Sequence, residues 1–501
     1  MKLNLVWIFA RRLRAINFYM KNPISTQENV FNYLIKKGKK TQWGIKHNYH
    51  KIKSIRDYQA LVPISTYEDL EPYIKRILAG DNNLFWPTKI KYFAKSSGTT
   101  SSKSKYIPVS SEALKDCHYR GGKEIFAKYL EQNRQAQIFK GQSFALGGSR
   151  QNLDLGNKKY IADVSVILMK NLPIWAQLKR SPKLSIASLQ EWEEKLEKIA
   201  KVISRQNITS ISGVPSWNLI LAKKVLALTG KSNLLEVWPN LELFMHGGVS
   251  FTPYRQQFEA IIPGKKMNYL EVYNASEGFF AFQDDLARKD MLLALDCGVF
   301  YEFLPLSELG EKDAKALTLE EVELNKNYAL IISTNSGLWR YLIGDTVKIT
   351  SRYPFRIIIS GRTKSFINAF GEELIVENSD RALNQACKIC QAVVRDYTAA
   401  PVYMSDKQQG RHQWLIEFEK KPKSLGRFTV ILDNELKKLN SDYEAKRYKN
   451  LALADPEIII AKDHLFYSFL KQKNRLGGQN KVLRLSNNRN YIEELLALNM
   501  K

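Results

Sequence analysis

The sequence predicts an α/β protein of two domains, a large N-terminal α/β domain over residues 1–361 and a small C-terminal α+β domain over residues 362–501. Three observations predict this. Helix-like and strand-like stretches alternate between residues 111 and 278, the order that builds a sheet with helices on its faces. Strands dominate from Asp296 to Ser360. Beyond Gly361–Ser365 the pattern changes to mixed helix and strand, and 501 residues exceed what one ordinary core holds.

Residues 1–90 read mainly as helices. The apolar stretch Leu3–Ala10 is followed by Arg11, Arg12 and Arg14, the reverse of a signal peptide's charge order, so it reads as a helix start. Asn29–Lys37 sets Val30, Tyr33 and Leu34 at helical spacing, and Thr66 caps a helix through Ile77. Phe93–Val109 then reads as a hairpin whose tip, Ser96 to Ser102 with Lys103, is rich in hydroxyls. Ser188–Ser204 is an amphipathic helix with Trp192, Leu196, Ile199 and Val202 on one side. Ile208–Val214, Leu241–Gly248 and Tyr269–Tyr273 read as strands, with a helix at Tyr254–Ile262. Strands follow at Gly298–Leu304, Tyr328–Thr334, Thr346–Ser351 and Pro354–Ile359. The C-terminal part reads as helix 378–392, strand 413–419 and helix 426–439.

An apolar fraction of 44% with 23 Phe, 24 Tyr and 9 Trp excludes a disordered chain. No apolar run reaches the length of a membrane span. Four cysteines argue against a disulfide framework and for a reducing, cytoplasmic setting. The pair Cys387 and Cys390 stands alone, without the second pair of a metal site, and reads as structural. The net charge of +26 is spread along the chain without a nucleic-acid motif. It fits a lysine-rich surface that steers anionic substrates, and no nucleic-acid partner is expected.

Four stretches carry chemistry. Backbone amides and hydroxyls of the Ser96–Thr100 tip, with the ammonium groups of Lys103 and Lys105, are what a polyphosphate needs, although the run is no Walker A loop and a polar surface loop fits the same residues. At Tyr273-Asn274-Ala275-Ser276-Glu277-Gly278 a strand end offers an aromatic for a base, a hydroxyl for a phosphate and a carboxylate for Mg²⁺; a plain turn with a helix cap fits the same residues. Gly344-Asp345 can accept both ribose hydroxyls, or be a turn between strands. Gly361-Arg362-Thr363-Lys364-Ser365 follows, leading into Phe370-Gly371-Glu372-Glu373-Leu374; Arg362 as a surface charge and Gly371 as a turn fit the same residues.

In this order the stretches resemble the adenylate-forming superfamily of acyl-CoA synthetases, luciferases and peptide-synthetase adenylation domains. More narrowly the chain resembles the Gretchen Hagen 3 family of acyl acid amido synthetases, the auxin-conjugating, auxin-responsive type. That likeness rests on Val62-Pro63-Ile64-Ser65-Thr66-Tyr67-Glu68-Asp69-Leu70, on Ser96–Thr100, on Gly337-Leu338-Trp339-Arg340-Tyr341 and on Gly477-Gly478-Gln479-Asn480-Lys481. It spans residues 20 to 490.

The resemblance implies the two-domain adenylate-forming architecture and a role for each matched residue. Ser96, Ser97, Gly98, Thr99 and Thr100 would wrap the ATP phosphates. Gly247 and Gly248 would line the adenosine, with Tyr273 stacking on adenine. Ser276 would touch the α-phosphate and Glu277 would hold Mg²⁺. Asp345 and Arg362 would hold the ribose, Lys364 would be the hinge, and Lys481 the catalytic lysine near the α-phosphate and acyl carboxylate. Two positions depart from relatives. Ser101-Ser102 replaces a loop Gly, and Asn274 replaces a Gly, with Asn able to adopt positive φ there.

The implied reaction is adenylation of a carboxylic acid with release of pyrophosphate, then transfer of the acyl group to an amino-acid amine. ATP and Mg²⁺ are the implied cofactors, a small acid and an amino acid the partners, and a monomer or weak dimer the expected state. No side-chain nucleophile is needed, in keeping with the absence of a Gly-x-Ser-x-Gly elbow. Two alternatives stand beside this: an acyl-CoA ligase with a thiol acceptor, and a nucleotide-binding protein that has lost its chemistry.

Overall fold

Parallel strands need crossover connections, and the helices between residues 113 and 261 supply them. In this computed structural model the described residues are 2–96, 105–148, 159–189, 191–249, 251, 254–264, 266–311, 313–363, 365–367, 369–370, 372, 374–403, 410–447, 453–473, 475–476 and 481–500. They form two compact units. The first comprises Met1–Gly248, Phe258–Ile343 and Val347–Ile358; the second comprises Val249–Gln257, Gly344–Thr346 and Ile359–Lys501. Among the described residues no helix is long and apolar enough to cross a membrane.

The first unit begins with the helices Lys2–Lys21, Pro23–Gly38, Gln42–Lys46, Ile55–Leu61 and Tyr67–Ala79. The last starts at Thr66, whose N–H donates to the Asp69 carboxylate at 2.8 Å, the expected cap. The N-terminal helix is fixed by charge. The Arg12 guanidinium reaches both Glu124 and Asp296, and the Tyr19 hydroxyl donates to Glu124 at 2.8 Å. Glu124, Asp296 and Cys297 make one grouping of potential metal ligands, but the guanidinium already supplies the positive charge there. Next comes the hairpin: β1 (Tyr92–Ser96) pairs antiparallel with β2 (Lys105–Val109), Phe93 opposite Pro108.

The main sheet has eleven strands and two halves. β3 (Gln142–Ala145), β5 (Arg180–Ser181), β6 (Ile208–Gly213), β7 (Leu243–His246) and β8 (Asn268–Asn274) lie parallel in the order β5-β3-β6-β7-β8. β4 (Tyr160–Ala162) pairs instead with β1. The remaining strands are β9 (Phe279–Phe282), β10 (Met291–Leu293), β11 (Val299–Pro305), β12 (Asn327–Thr334), β13 (Tyr341–Arg352) and β14 (Phe355–Arg362). They extend the sheet from β8 in the order β9-β10-β14-β13-β12-β11. β8 to β9, β9 to β10, β10 to β14 and β11 to β12 are antiparallel, and the first two of these pairs are joined by short helix-free connections. Every residue of β7 is buried, as helices on both faces of a parallel sheet require.

Two motifs that carried the family likeness meet here as scaffold. Ser65 bridges to Tyr341 in parallel, and the Arg340 guanidinium donates to the carbonyls of Gln59 at 3.0 Å and Val62 at 2.7 Å. It also forms a forked pair with the Glu302 carboxylate at 3.0–3.2 Å, both side chains buried.

In the second unit β17 (Val393–Val402) pairs antiparallel with β18 (Arg411–Lys420), and β18 pairs parallel with β19 (Glu457–Ile460). A two-stranded ribbon, β15 (Phe366–Ile367) with β16 (Leu374–Ile375), precedes them. Helices Val376–Cys390 and Leu425–Leu439 supply Leu383, Phe428 and Leu432 to a core with Tyr397, Trp414 and Ile416. This is the α+β arrangement expected. Cys387 and Cys390 are free, and burial pushes the Cys387 thiol up to about 12, so the pair is part of the helix packing.

Candidate active site

In a parallel sheet ligands gather at the carboxyl ends of the strands. Here those ends carry His246-Gly247-Gly248 after β7 and Asn274–Gly278 after β8. A Cβ on Gly247 would come within 2.2 Å of the Val272 carbonyl oxygen, so no side chain fits where the two strand ends converge. Gly248 has φ +84°, a turn that L-residues rarely make.

Residues 274–278 join β8 to β9 as a tight hairpin, not a strand to a helix. Ala275 N–H donates to the Gly278 carbonyl at 2.8 Å, and Gly278 N–H to the Ala275 carbonyl at 3.4 Å. Ser276 and Glu277 therefore sit at the apex. A register shift between Tyr273 and Asn274 marks a bulge, a device common beside active sites. Ser276 is 3% exposed, and its hydroxyl has no hydrogen-bond partner among the described residues. Glu277 is half-buried beside it. Tyr273 is buried, its ring edge-on to Phe280 at 4.9 Å. Asn274 does not adopt positive φ; the bulge absorbs the change of direction that a glycine would otherwise make.

The amide of Asn274 has a partner that sequence reasoning missed. His118 ends the π-helical turn Ala113–His118, and its Nδ1 lies 2.9 Å from Asn274 Oδ1. Burial pushes this imidazole down to about 4, so at neutral pH it is uncharged and Nδ1–H donates to the amide oxygen. A proton that binds near 6.5 in the unfolded chain binds only near 4 in the folded one, so stability falls as pH drops through that window. Urea unfolding between about pH 7.5 and about pH 5 is expected to show a loss of ~2 kcal/mol from this group. In His118→Gln that loss should be absent; parallel pH profiles for the two proteins would assign the dependence elsewhere.

The second unit brings Gly344-Asp345 and Gly361-Arg362 together. β13 runs on through Gly344 and Asp345, which sequence had read as a break before a strand at Thr346. Gly344 accommodates this with φ +91°, and Thr363 N–H donates to its carbonyl at 2.9 Å. Arg362 Nε lies 3.2 Å from Asp345 Oδ1, with the carboxylate largely buried and the guanidinium partly exposed. A carboxylate held this way presents its other oxygen in a fixed direction.

Lys481 opens a segment that adds to the edge of β17. Ala399 N–H donates to the Arg484 carbonyl at 2.8 Å, Ser486 N–H to the Ala399 carbonyl at 3.2 Å, and the Thr398 hydroxyl to the Leu483 carbonyl at 2.6 Å. Lys481 itself is half-buried. Ser97, Gly98, Thr99, Thr100 and Lys364 lie outside the described residues, as does the side chain of Ser96.

Three family models match the chain. They are the GH3 family N-terminal domain over residues 12–267, the central domain over 292–362 and the C-terminal domain over 377–490. Indole-3-acetic acid-amido synthetase GH3.4 of Arabidopsis thaliana is 22% identical over 402 residues, covering 68% of this chain and 67% of that protein. The solved GH3.15 acyl acid amido synthetase superposes with a TM-score of 0.78 at 16% identity, covering 97% of this chain and 95% of that one. A 2-hydroxyisobutyryl-CoA ligase in its postadenylation state superposes with a TM-score of 0.61 at 13% identity, covering 95% of this chain and 90% of that one. The fold is thus shared with adenylate-forming enzymes, and the matched segments leave little of the sequence outside: the chain belongs to the GH3 family.

Proposed function

We propose that this protein is an ATP-dependent acyl acid amido synthetase, which adenylates a carboxylic acid and passes the acyl group to an amino-acid amine. One observation carries the reading in a chain of this family. At the carboxyl end of β8 a tight turn holds the buried hydroxyl of Ser276, which has no partner among the described residues, beside the carboxylate of Glu277. A buried hydroxyl without a protein partner is costly unless a ligand completes it. An α-phosphate oxygen is such a ligand.

The residues present fit a nucleotide. Gly247 and Gly248, after β7, would line the adenosine, and Tyr273, near the end of β8, would stack on adenine. Asp345, oriented by Arg362, accepts from the ribose hydroxyls. The Ser96–Thr100 run offers amides and hydroxyls to the phosphates, and Lys364 serves as the hinge between a large domain, 1–361, and a small one, 362–501. Glu277 holds Mg²⁺, which when bound offsets phosphate charge.

The chemistry then follows from charge. A carboxylate oxygen bonds to the α-phosphorus and pyrophosphate leaves. Bringing two anions together costs Coulomb energy, which the Lys481 ammonium and the loop donors offset most where charge develops. An amine nitrogen next attacks the activated carbonyl, AMP leaves with the bridging oxygen, and the amine loses a proton. The test is a pyrophosphate-release screen over carboxylic acids, with an amino acid mixture or coenzyme A as acceptor. Acid-dependent release with amide product is expected. Thioester product would move the protein to the acyl-CoA ligases, and no release with any acid would leave a nucleotide-binding protein without this chemistry.

A further inference from the structure

We propose that Arg484 is the residue that positions Lys481, clamping the Lys481-bearing segment to the edge of β17 through Asp396 and Tyr254. The proposal rests on the reading of Lys481 as the adenylation lysine.

Among the described residues few backbone bonds hold this segment. β17 is the edge strand of its sheet, and Leu485 meets Ala399 as an isolated bridge. The Arg484 side chain adds what the backbone does not. Its Nη1 reaches the Asp396 carboxylate and donates to the Tyr397 carbonyl at 3.1 Å. Its Nη2 donates to the Tyr254 hydroxyl at 3.1 Å, and its guanidinium lies 4.5 Å from the centre of the Tyr397 ring. The Arg484 side chain is 12% exposed, so these contacts are only weakly screened by water.

Each partner is itself fixed. Asp396 sits at a register shift in β17, a bulge of the kind that re-aims a side chain. Its carboxylate also accepts from the Tyr397 N–H at 3.0 Å. Tyr254 is 3% exposed and belongs to Val249–Gln257, which clusters with this unit although it follows Gly247 and Gly248 in the chain. Leu483 and Leu485, on either side of Arg484, are buried and set the register from the other face of the segment. Lys481 lies three residues before the clamp, about 10 Å along an extended chain. A long, flexible side chain is useful between two anions only if its root is held, because small misplacements of a catalytic group cost about 10²-fold.

The experiment compares Lys481→Ala, Arg484→Gln and their combination in the adenylation half-reaction and in amide formation from supplied acyl-adenylate. Arg484→Gln is expected to lower the adenylation rate constant about 10- to 100-fold with ATP binding nearly unchanged, and to affect amide formation much less. Combined with Lys481→Ala it should add nothing, because a residue acting only through Lys481 has no effect once the lysine is gone. Arg484→Lys, which keeps a charge for Asp396 but not the fork, should fall between wild type and Arg484→Gln. If Arg484→Gln does not fold, Tyr254→Phe and Asp396→Asn take its place, with the same non-additivity expected. Additive losses, or equal losses in both half-reactions, would assign Arg484 to general stability and overturn the proposal. Slow adenylation in Lys481→Ala with normal adenylation in Arg484→Gln would overturn it and leave the Lys481 reading standing. Normal adenylation in Lys481→Ala would remove both.

Discussion

Glu302→Ala is expected to lower the free energy of unfolding by about 3–5 kcal/mol, the range for breaking one side of a buried ion pair. The carboxylate is 1% exposed, and it accepts from Arg340 through both oxygens and from Gln59 at 2.9 Å. Without it the Arg340 guanidinium keeps, among the described residues, the Gln59 and Val62 carbonyls, with its charge uncompensated in the core. Arg340 also has φ +44°, a left-handed conformation that a non-glycine residue holds only when its surroundings impose it. Glu302→Gln keeps the shape and one acceptor, so its loss should be smaller. Urea unfolding of the two variants reads this directly; a loss below about 1 kcal/mol in Glu302→Ala would mean that Arg340 finds other partners.

Glu277→Ala is expected to slow adenylation by the equivalent of about 2–4 kcal/mol while leaving the fold intact, by analogy with loss of a single electrostatic group at a reacting centre. The side chain is half-buried at a hairpin apex, and the turn is held by the backbone bonds between Ala275 and Gly278, which the substitution does not touch. The loss should appear chiefly as weaker response to Mg²⁺. Pyrophosphate release by Glu277→Ala at the wild-type rate with Mg²⁺ limiting would remove the metal role from this residue.

Periodicity and turn chemistry made much of this fold legible. The Phe93–Val109 stretch pairs as read, and β7 ends at its two glycines because the strand is apolar up to the point where backbones must approach. The order of four weakly specific stretches, none of them sufficient by itself, identified the family. What escaped was set by partners distant in sequence. Arg340 reads in the sequence only as one position of the Gly337–Tyr341 stretch that carries the family likeness; Glu302, 38 residues away, accounts for its charge. His118 carried no signal because its partner, Asn274, lies 156 residues on. Gly344-Asp345 read as a break because Gly usually ends a strand; here sheet pairing carries β13 through it at positive φ. The acyl pocket had no motif, since shape and not residue type defines such a site.

The claim that an acid oxygen attacks the α-phosphorus is tested most directly by labelling both carboxylate oxygens of an accepted acid with ¹⁸O and weighing the products after one turnover with ATP and an amino acid. The account predicts AMP carrying one labelled oxygen, an amide carrying the other, and unlabelled pyrophosphate. Label in inorganic phosphate with ADP as the nucleotide product would place the attack on the γ-phosphorus instead, and would contradict it.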